Sequence, residues 1–229
     1  MFPLKDNVPT RSFPLVTIGL IAVNAAVWIF YQLPNLDRSV RDLAYQPCEV
    51  VNTCPPGTAV GQSWDITWLT SMFMHGSWLH IIGNMLFLWI FGNNVEDAMG
   101  KIRFLIFYLL SGLAATGLQT VVTLAAGSNL DAAVPNIGAS GAVSGVLGAY
   151  LLLLPNAKVL TIVFYFFIEV PAFMFLGLWF LFQLWEGGFS LIQPAAGGGV
   201  AFFAHIGGFV FGALTVRLFM KRPPLQPAY

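Results

Sequence analysis

Six apolar stretches, half of them close to twenty residues long and the others shorter, recur along this 229-residue chain. A helix rising 1.5 Å per residue needs about twenty residues to cross roughly 30 Å of hydrocarbon, so each stretch reads as a membrane span. The spans are read at residues 15–33, 80–92, 104–126, 140–154, 171–185 and 200–220; a start at Leu160 for the fifth stays open. With 57% hydrophobic and 9% charged residues, little polar surface remains for a water-soluble body. The expected fold is an all-α polytopic membrane protein, with a short segment at 1–14, a six-helix membrane domain at 15–220 and a tail at 221–229. A formal net charge of zero offers no basic face to a nucleic acid, and the partner implied throughout is the lipid bilayer.

Basic residues set the expected orientation. With the amino terminus inside, Lys5, Arg11, Lys101, Arg103, Lys158, Arg217, Lys221 and Arg222 fall on the cytoplasmic side, against Arg38 and Arg41 outside. Both termini are then cytoplasmic, and the loop carrying Cys48 and Cys54, the chain's only cysteines, is external. A disulfide and two free thiols are both open to that pair. The first stretch is long enough to span and reads as an anchor, not a cleaved signal. Met72, Phe73 and Met74 belong to an amphipathic piece at the interface, and Trp28, Trp89, Trp179 and Trp185 read as interfacial or lipid-facing aromatics. The segment 187–199 reads as a glycine-rich loop.

The fourth stretch opens on Gly138-Ala139-Ser140-Gly141. Small residues let membrane helices pack closely, and both Gly141-xxx-Gly145 and Gly208-xxx-Gly212 have that form. Depth adds a second meaning. Ser140 lies roughly 21 Å above the inner end of its helix and His205 roughly 18 Å above Arg217, so the two share a level. His80 and Asn84, four residues apart on one helix face, open the second stretch from the same side. Acyl transfer needs a nucleophile, a base within reach and donors for an oxyanion. Ser140, His205 and the His80–Asn84 pair match those roles, and with no acid at that depth the site is a Ser/His dyad. His75, nearer the interface, reads as structural; Glu96 and Asp97 read as a solvated turn or a clamp to the next helix.

These motifs resemble the rhomboid family of intramembrane serine proteases, in the family's order: His75-xxxx-His80-xxx-Asn84, Glu96 sixteen residues on, Gly138-Ala139-Ser140-Gly141, and Ala204-His205-xx-Gly208-xxx-Gly212. The resemblance implies that Ser140 attacks a peptide carbonyl and His205 serves as general base and acid. The Ser140 N–H, His80 and Asn84 hold the oxyanion; His75, Glu96, Gly138, Gly141, Gly208 and Gly212 support the structure. It implies transmembrane protein substrates cut near their outer ends, a mobile cap before His205, and no metal or organic cofactor. The bacterial plasma membrane is the expected location. Two departures stand out. Ser144 occupies the place of a tyrosine that commonly packs on the imidazole, and Ile66-Thr67 stand where a Trp-Arg pair often anchors the external loop. A rhomboid-like pseudoprotease and, further off, a proton or ion pathway through the three histidines are the competing readings.

Overall fold

The computed structural model describes residues 2–58, 61–192 and 200–226, with Ile192 described for its backbone alone. It is a polytopic helical bundle built around one short central helix. In chain order the elements are β1 (Phe2–Asp6), α1 (Leu15–Ala26), α2 (Leu36–Leu43), α3 (Pro47–Val50), α4 (Trp64–Thr70), α5 (Trp78–Met99), α6 (Lys101–Ala126) and α7 (Asn129–Ala132). Then follow α8 (Ser140–Leu153), β2 (Lys158–Val163), β3 (Phe166–Pro171), α9 (Ala172–Ile192) and α10 (Phe202–Phe219). Four helical stretches, Leu15–Leu43, Lys101–Ala126, Ala172–Leu191 and Phe202–Phe219, are long and apolar enough to cross a membrane. α5 and α8 complete the six-helix bundle.

The central helix is α8. Ten consecutive residues from Gly141 to Tyr150 are buried, so no side of that stretch faces lipid or water; only in the last turn is a residue, Leu152, exposed. An all-round apolar surface demands such a place. Its glycines admit the neighbours: a Cβ on Gly145 would overlap the Ser111 side chain of α6, and one on Gly148 the Phe209 carbonyl of α10. Fourteen residues reach only about 21 Å, short of a full crossing. The chain compensates by descending to it. Asn136 pairs antiparallel with Tyr45, and the Gly138 N–H donates to the Ser71 carbonyl at 2.9 Å. Irregular backbone is tolerated at that depth because protein surrounds it.

The polar end of α5 is the second organising feature. The helix continues past Gly92 to Met99 because its late polar residues are all engaged, and it stops at Gly100, whose φ of +79° few other residues adopt. Glu96 accepts the backbone N–H groups of Val16 and Thr17 at 3.0 and 2.7 Å and the Thr17 hydroxyl at 2.8 Å, satisfying donors in the first turn of α1. Asp97 accepts from Arg11, Ser12 and Arg222, tying both terminal segments to α5. These acids are neither a solvated turn nor a clamp to the next helix: both are 2% exposed, and they hold the preceding helix α1 and the two terminal segments.

Several boundaries differ from the sequence expectation. The first helical column does not end at Pro34: a π-helical turn (Val27–Gln32) and a 3-10 turn (Leu33–Asn35) carry it into α2, and a proline in the first turn of a new segment costs no hydrogen bond. The chain is not purely helical either. β1, β2 and β3 form an antiparallel sheet in that order, because 158–171 folds as a hairpin with Thr161 opposite Ile168. Pro171 ends β3, so the fifth span starts at Ala172 and runs on to Ile192. The stretch Gly187–Ile192, expected as loop, is therefore helical; the rest of the glycine-rich segment, 193–199, lies outside the described residues. Trp28 is buried at 2% exposure and packs edge-on to Trp78, whereas Trp89 and Trp185 do face outward.

Candidate active site

Ser140 is the first residue of α8, at the foot of the descending loop, and His205 lies one turn into α10. The two helices touch through backbone. A Cβ on Gly208 would overlap the Gly141 carbonyl, and one on Gly212 the Gly145 carbonyl. That approach brings His205 Nε2 to 2.9 Å from Ser140 Oγ. The small residues thus pack the two helices closely and, in doing so, bring these two polar groups into contact.

The second wall comes from α5. Ser77 caps this helix by accepting the His80 N–H at 3.2 Å, and the Gly76 N–H donates to His80 Nδ1 at 3.4 Å. With Nδ1 an acceptor, the ring proton belongs on Nε2, which points at the loop before Ser140. Gly138 faces it at φ +128°, and a Cβ there would stand 2.7 Å from His80 Nε2 and 3.5 Å from Ser140 Oγ. Asn84, one turn further along, is 9% exposed and its Nδ2 has no partner among the described residues. Ser140, His205, His80 and Asn84 thus come from three helices, as their depths suggested.

His75 takes no direct place beside Ser140. Gln32, in the π-helical turn, grips its backbone, accepting the His75 N–H at 2.8 Å and donating to its carbonyl at 2.9 Å. The buried His75 ring then meets the His80 ring edge-on at 5.1 Å. Gln32 is a supporting residue the sequence reading passed over. The external loop lacks the Trp-Arg pair yet is firmly tied: Tyr45 Oη and Thr120 Oγ1 lie 2.8 Å apart, Gln46 donates to the Ala133 carbonyl at 2.6 Å, and Trp68 donates to the Leu113 carbonyl at 3.2 Å. Cys48 and Cys54 are joined by a disulfide in the same loop.

The other side of His205 was missed in the sequence. Ser144 Oγ donates back to the Ser140 carbonyl at 2.6 Å, leaving the imidazole to others. Trp179 of α9, expected at the interface or toward lipid, instead lies over the His205 ring with centroids 5.9 Å apart and planes 37° from parallel. Gln183, also on α9 and 4% exposed, places Oε1 2.7 Å from His205 Nδ1. The signal was available: Gln183 is a lone amide in the middle of an apolar span, four residues and so one turn from Trp179. Among the described residues, neither ring nitrogen of His205 meets a carboxylate, and no group of histidine, cysteine and acidic side chains is arranged to hold a metal ion.

A small cavity lined by Ser71, Asn136, Gly138, Ser140 and Ala204 opens beside the serine. A larger one shares Asn136 and Ala201 with it and is bordered by Gln119, Thr123 and Asp131. Both linings mix these polar groups with apolar ones such as Met72 and Val122, and the polar groups offer water its partners.

A multi-pass membrane bundle with a serine and a histidine in hydrogen-bond contact defines the class. Residues 61–222 match the Rhomboid domain family model, and the chain belongs to the rhomboid family. It is 30% identical over 201 residues to Rhomboid protein 1, mitochondrial, of Saccharomyces cerevisiae, covering 86% of this chain and 51% of that protein. It is 30% identical over 219 residues to the human Presenilin-associated rhomboid-like protein, mitochondrial, covering 90% and 50%. YdcA of Bacillus subtilis is 32% identical over 154 residues, covering 66% and 69%. The chain thus spans about half the length of the mitochondrial relatives.

Proposed function

We propose that this chain is an intramembrane serine endopeptidase that cuts transmembrane protein substrates near the outer ends of their spans. The contact of 2.9 Å between Ser140 Oγ and His205 Nε2 carries the reading. Ser140 Oγ attacks the scissile carbonyl carbon while His205 Nε2 takes its proton. The carbonyl oxygen becomes an oxyanion, met by the His80 Nε2–H, by Asn84 Nδ2, which has no other partner among the described residues, and by the Ser140 N–H at the start of a helix, where backbone donors lie outside the helical ladder. As the intermediate collapses, the C–N bond breaks, His205 returns the proton to the leaving amine, and an acyl ester stays on Ser140. A water reaching the ester through the polar cavities loses a proton to His205 and releases the second product. Water enters from the side of the disulfide loop, which the charge pattern assigns to the exterior, with both termini cytoplasmic and a bacterial plasma membrane as host.

The intact pair favours a protease over a non-cutting relative. The test is cleavage of a reporter carrying a helix-destabilised transmembrane segment, in proteoliposomes, with labelling by a fluorophosphonate. Ser140→Ala and His205→Ala are expected to abolish cleavage, and Ser140→Ala also labelling, with melting unchanged. Cleavage that persists at the wild-type rate in Ser140→Ala overturns the reading, as does a wild-type protein inert to both substrate and probe.

A further inference from the structure

Among the described residues no acid stands behind His205, and the structure places something else there. Gln183 Nε2 donates to the Trp179 carbonyl at 3.4 Å, a partner that can only accept. That contact fixes which way the amide faces, so the atom 2.7 Å from His205 Nδ1 is the carbonyl oxygen Oε1. An amide oxygen only accepts, so Nδ1 must carry the proton. The Nε2 lone pair is then left facing the Ser140 hydroxyl at 2.9 Å, the one tautomer in which the histidine can act as a base.

We propose that Gln183 is the positioning residue of the dyad: its side-chain carbonyl, held by α9, fixes the tautomer and the ring orientation of His205, with Trp179 bearing on the ring face. This rests on the protease reading above. The orienting group is neutral, which suits its surroundings. Gln183 is 4% exposed within an apolar helix, where an unpaired carboxylate would be costly to desolvate. When His205 takes up the serine proton, the Nδ1–H bond to Oε1 persists and the carbonyl dipole stabilises the imidazolium. The groups on the His205 ring are Ser140 of α8 and Gln183 and Trp179 of α9; Gln119 of α6 accepts the neighbouring Ala204 N–H at 3.2 Å. His80 of α5 is the other titratable ring of the layer, reached across Gly138. α9 therefore belongs to the catalytic centre through the base it holds, although it contributes no group that touches the substrate's reacting atoms.

The test uses the full chain in lipid nanodiscs and the second-order rate of fluorophosphonate labelling at Ser140 across pH, which needs no knowledge of the substrate. Gln183→Leu, with Gln183→Met as a second apolar variant, is expected to label about tenfold more slowly with an unchanged melting temperature, the size of losing one well-placed hydrogen bond. Gln183→Glu is expected to recover most of that rate. It should also move the midpoint of the pH–rate curve to higher pH, because a carboxylate beside the ring favours the imidazolium and neutral histidine is the base. A purely packing role predicts neither the recovery nor the shift. Wild-type rate and midpoint in a folded Gln183→Leu protein overturn the proposal. A wild-type protein that does not label at all instead removes the protease reading beneath it, so the two failures are told apart.

Discussion

Gly208 of α10 meets the Gly141 carbonyl of α8 with no room for a Cβ between them. Gly141 follows Ser140 and Gly208 lies three residues after His205, so this contact sets the spacing of the dyad. Gly208→Val should push α10 outward by more than 1 Å. Displacements of that size can cost about a hundredfold in rate, so cleavage is expected to fall by at least that much, with Gly208→Ala intermediate. Gly177→Ala, on α9 where nothing lies within 4 Å of a Cβ, is the matched control and should keep activity and melting temperature. Wild-type cleavage by Gly208→Val would show that helix separation does not govern the dyad.

Gly138 faces His80 rather than another helix backbone. Its φ of +128° is closed to most side chains, and a methyl there would press on His80 Nε2 at 2.7 Å. Gly138→Ala is therefore expected to spoil the proposed oxyanion site by moving both the loop and the imidazole. Loss of one such donor costs about a hundred- to a thousandfold in kcat. His80→Ala should fall in the same range, and the double variant should be little worse than either, since both remove one unit. Independent, multiplying losses in kinetic measurements would count against a shared site.

Much of this centre was legible in the sequence because helix periodicity and depth are one-dimensional quantities. Ser140, His205, His80 and Asn84 could be levelled by counting residues along helices, and the six-helix bundle followed from stretch length. What counting cannot supply is rotation about a helix axis. Trp179 and Gln183 share a face of α9, but which face turns to His205 depends on how α9 packs on α10, so an aromatic expected at the interface or toward lipid lies on the imidazole. The sheet escaped for another reason: β1 pairs with β2 across about 155 residues of chain, Phe2 opposite Ile162, and no local pattern announces that register. Glu96 and Asp97 were visible as charges, while their partners, the first turn of α1 and both terminal segments, were not.

Glu96 holds the start of α1 through three accepted hydrogen bonds and is 2% exposed. Glu96→Ala strands those donors in a buried place, at about 1–3 kcal/mol for each group left unsatisfied. The expected result is a clear drop in melting temperature. Glu96→Gln keeps an acceptor and should lose less. The clamp binds the polar end of α5, four to five turns from His80, so cleavage per folded molecule should remain near wild type in both variants. A fall in kcat at temperatures where the protein is fully folded would tie the clamp to the site.

Asp6 gives the amino-terminal strand a pH dependence of unusual sign. Its carboxylate accepts from Tyr150 Oη at 2.6 Å and Asn94 Nδ2 at 2.7 Å, yet burial outweighs those bonds and holds its pKa above the ordinary carboxylate range. A raised carboxyl pKa means the folded protein binds the proton more tightly than the unfolded chain. Asp6 therefore favours folding most at pH values below the ordinary carboxylate pKa. That contribution is lost as pH rises through the ordinary value and on through the raised folded one. Asp6→Asn retains an oxygen for Tyr150 and Asn94 and carries no charge at any pH. The difference in melting temperature, variant minus wild type, is expected to grow in favour of the asparagine as pH rises through that window and then level off. Protease accessibility of residues 2–14 should follow the same curve, because Asp6 is the residue through which β1 reaches Tyr150 in the core. Parallel melting curves for the two proteins across the window would mean that the Asp6 carboxyl titrates as it does in the unfolded chain.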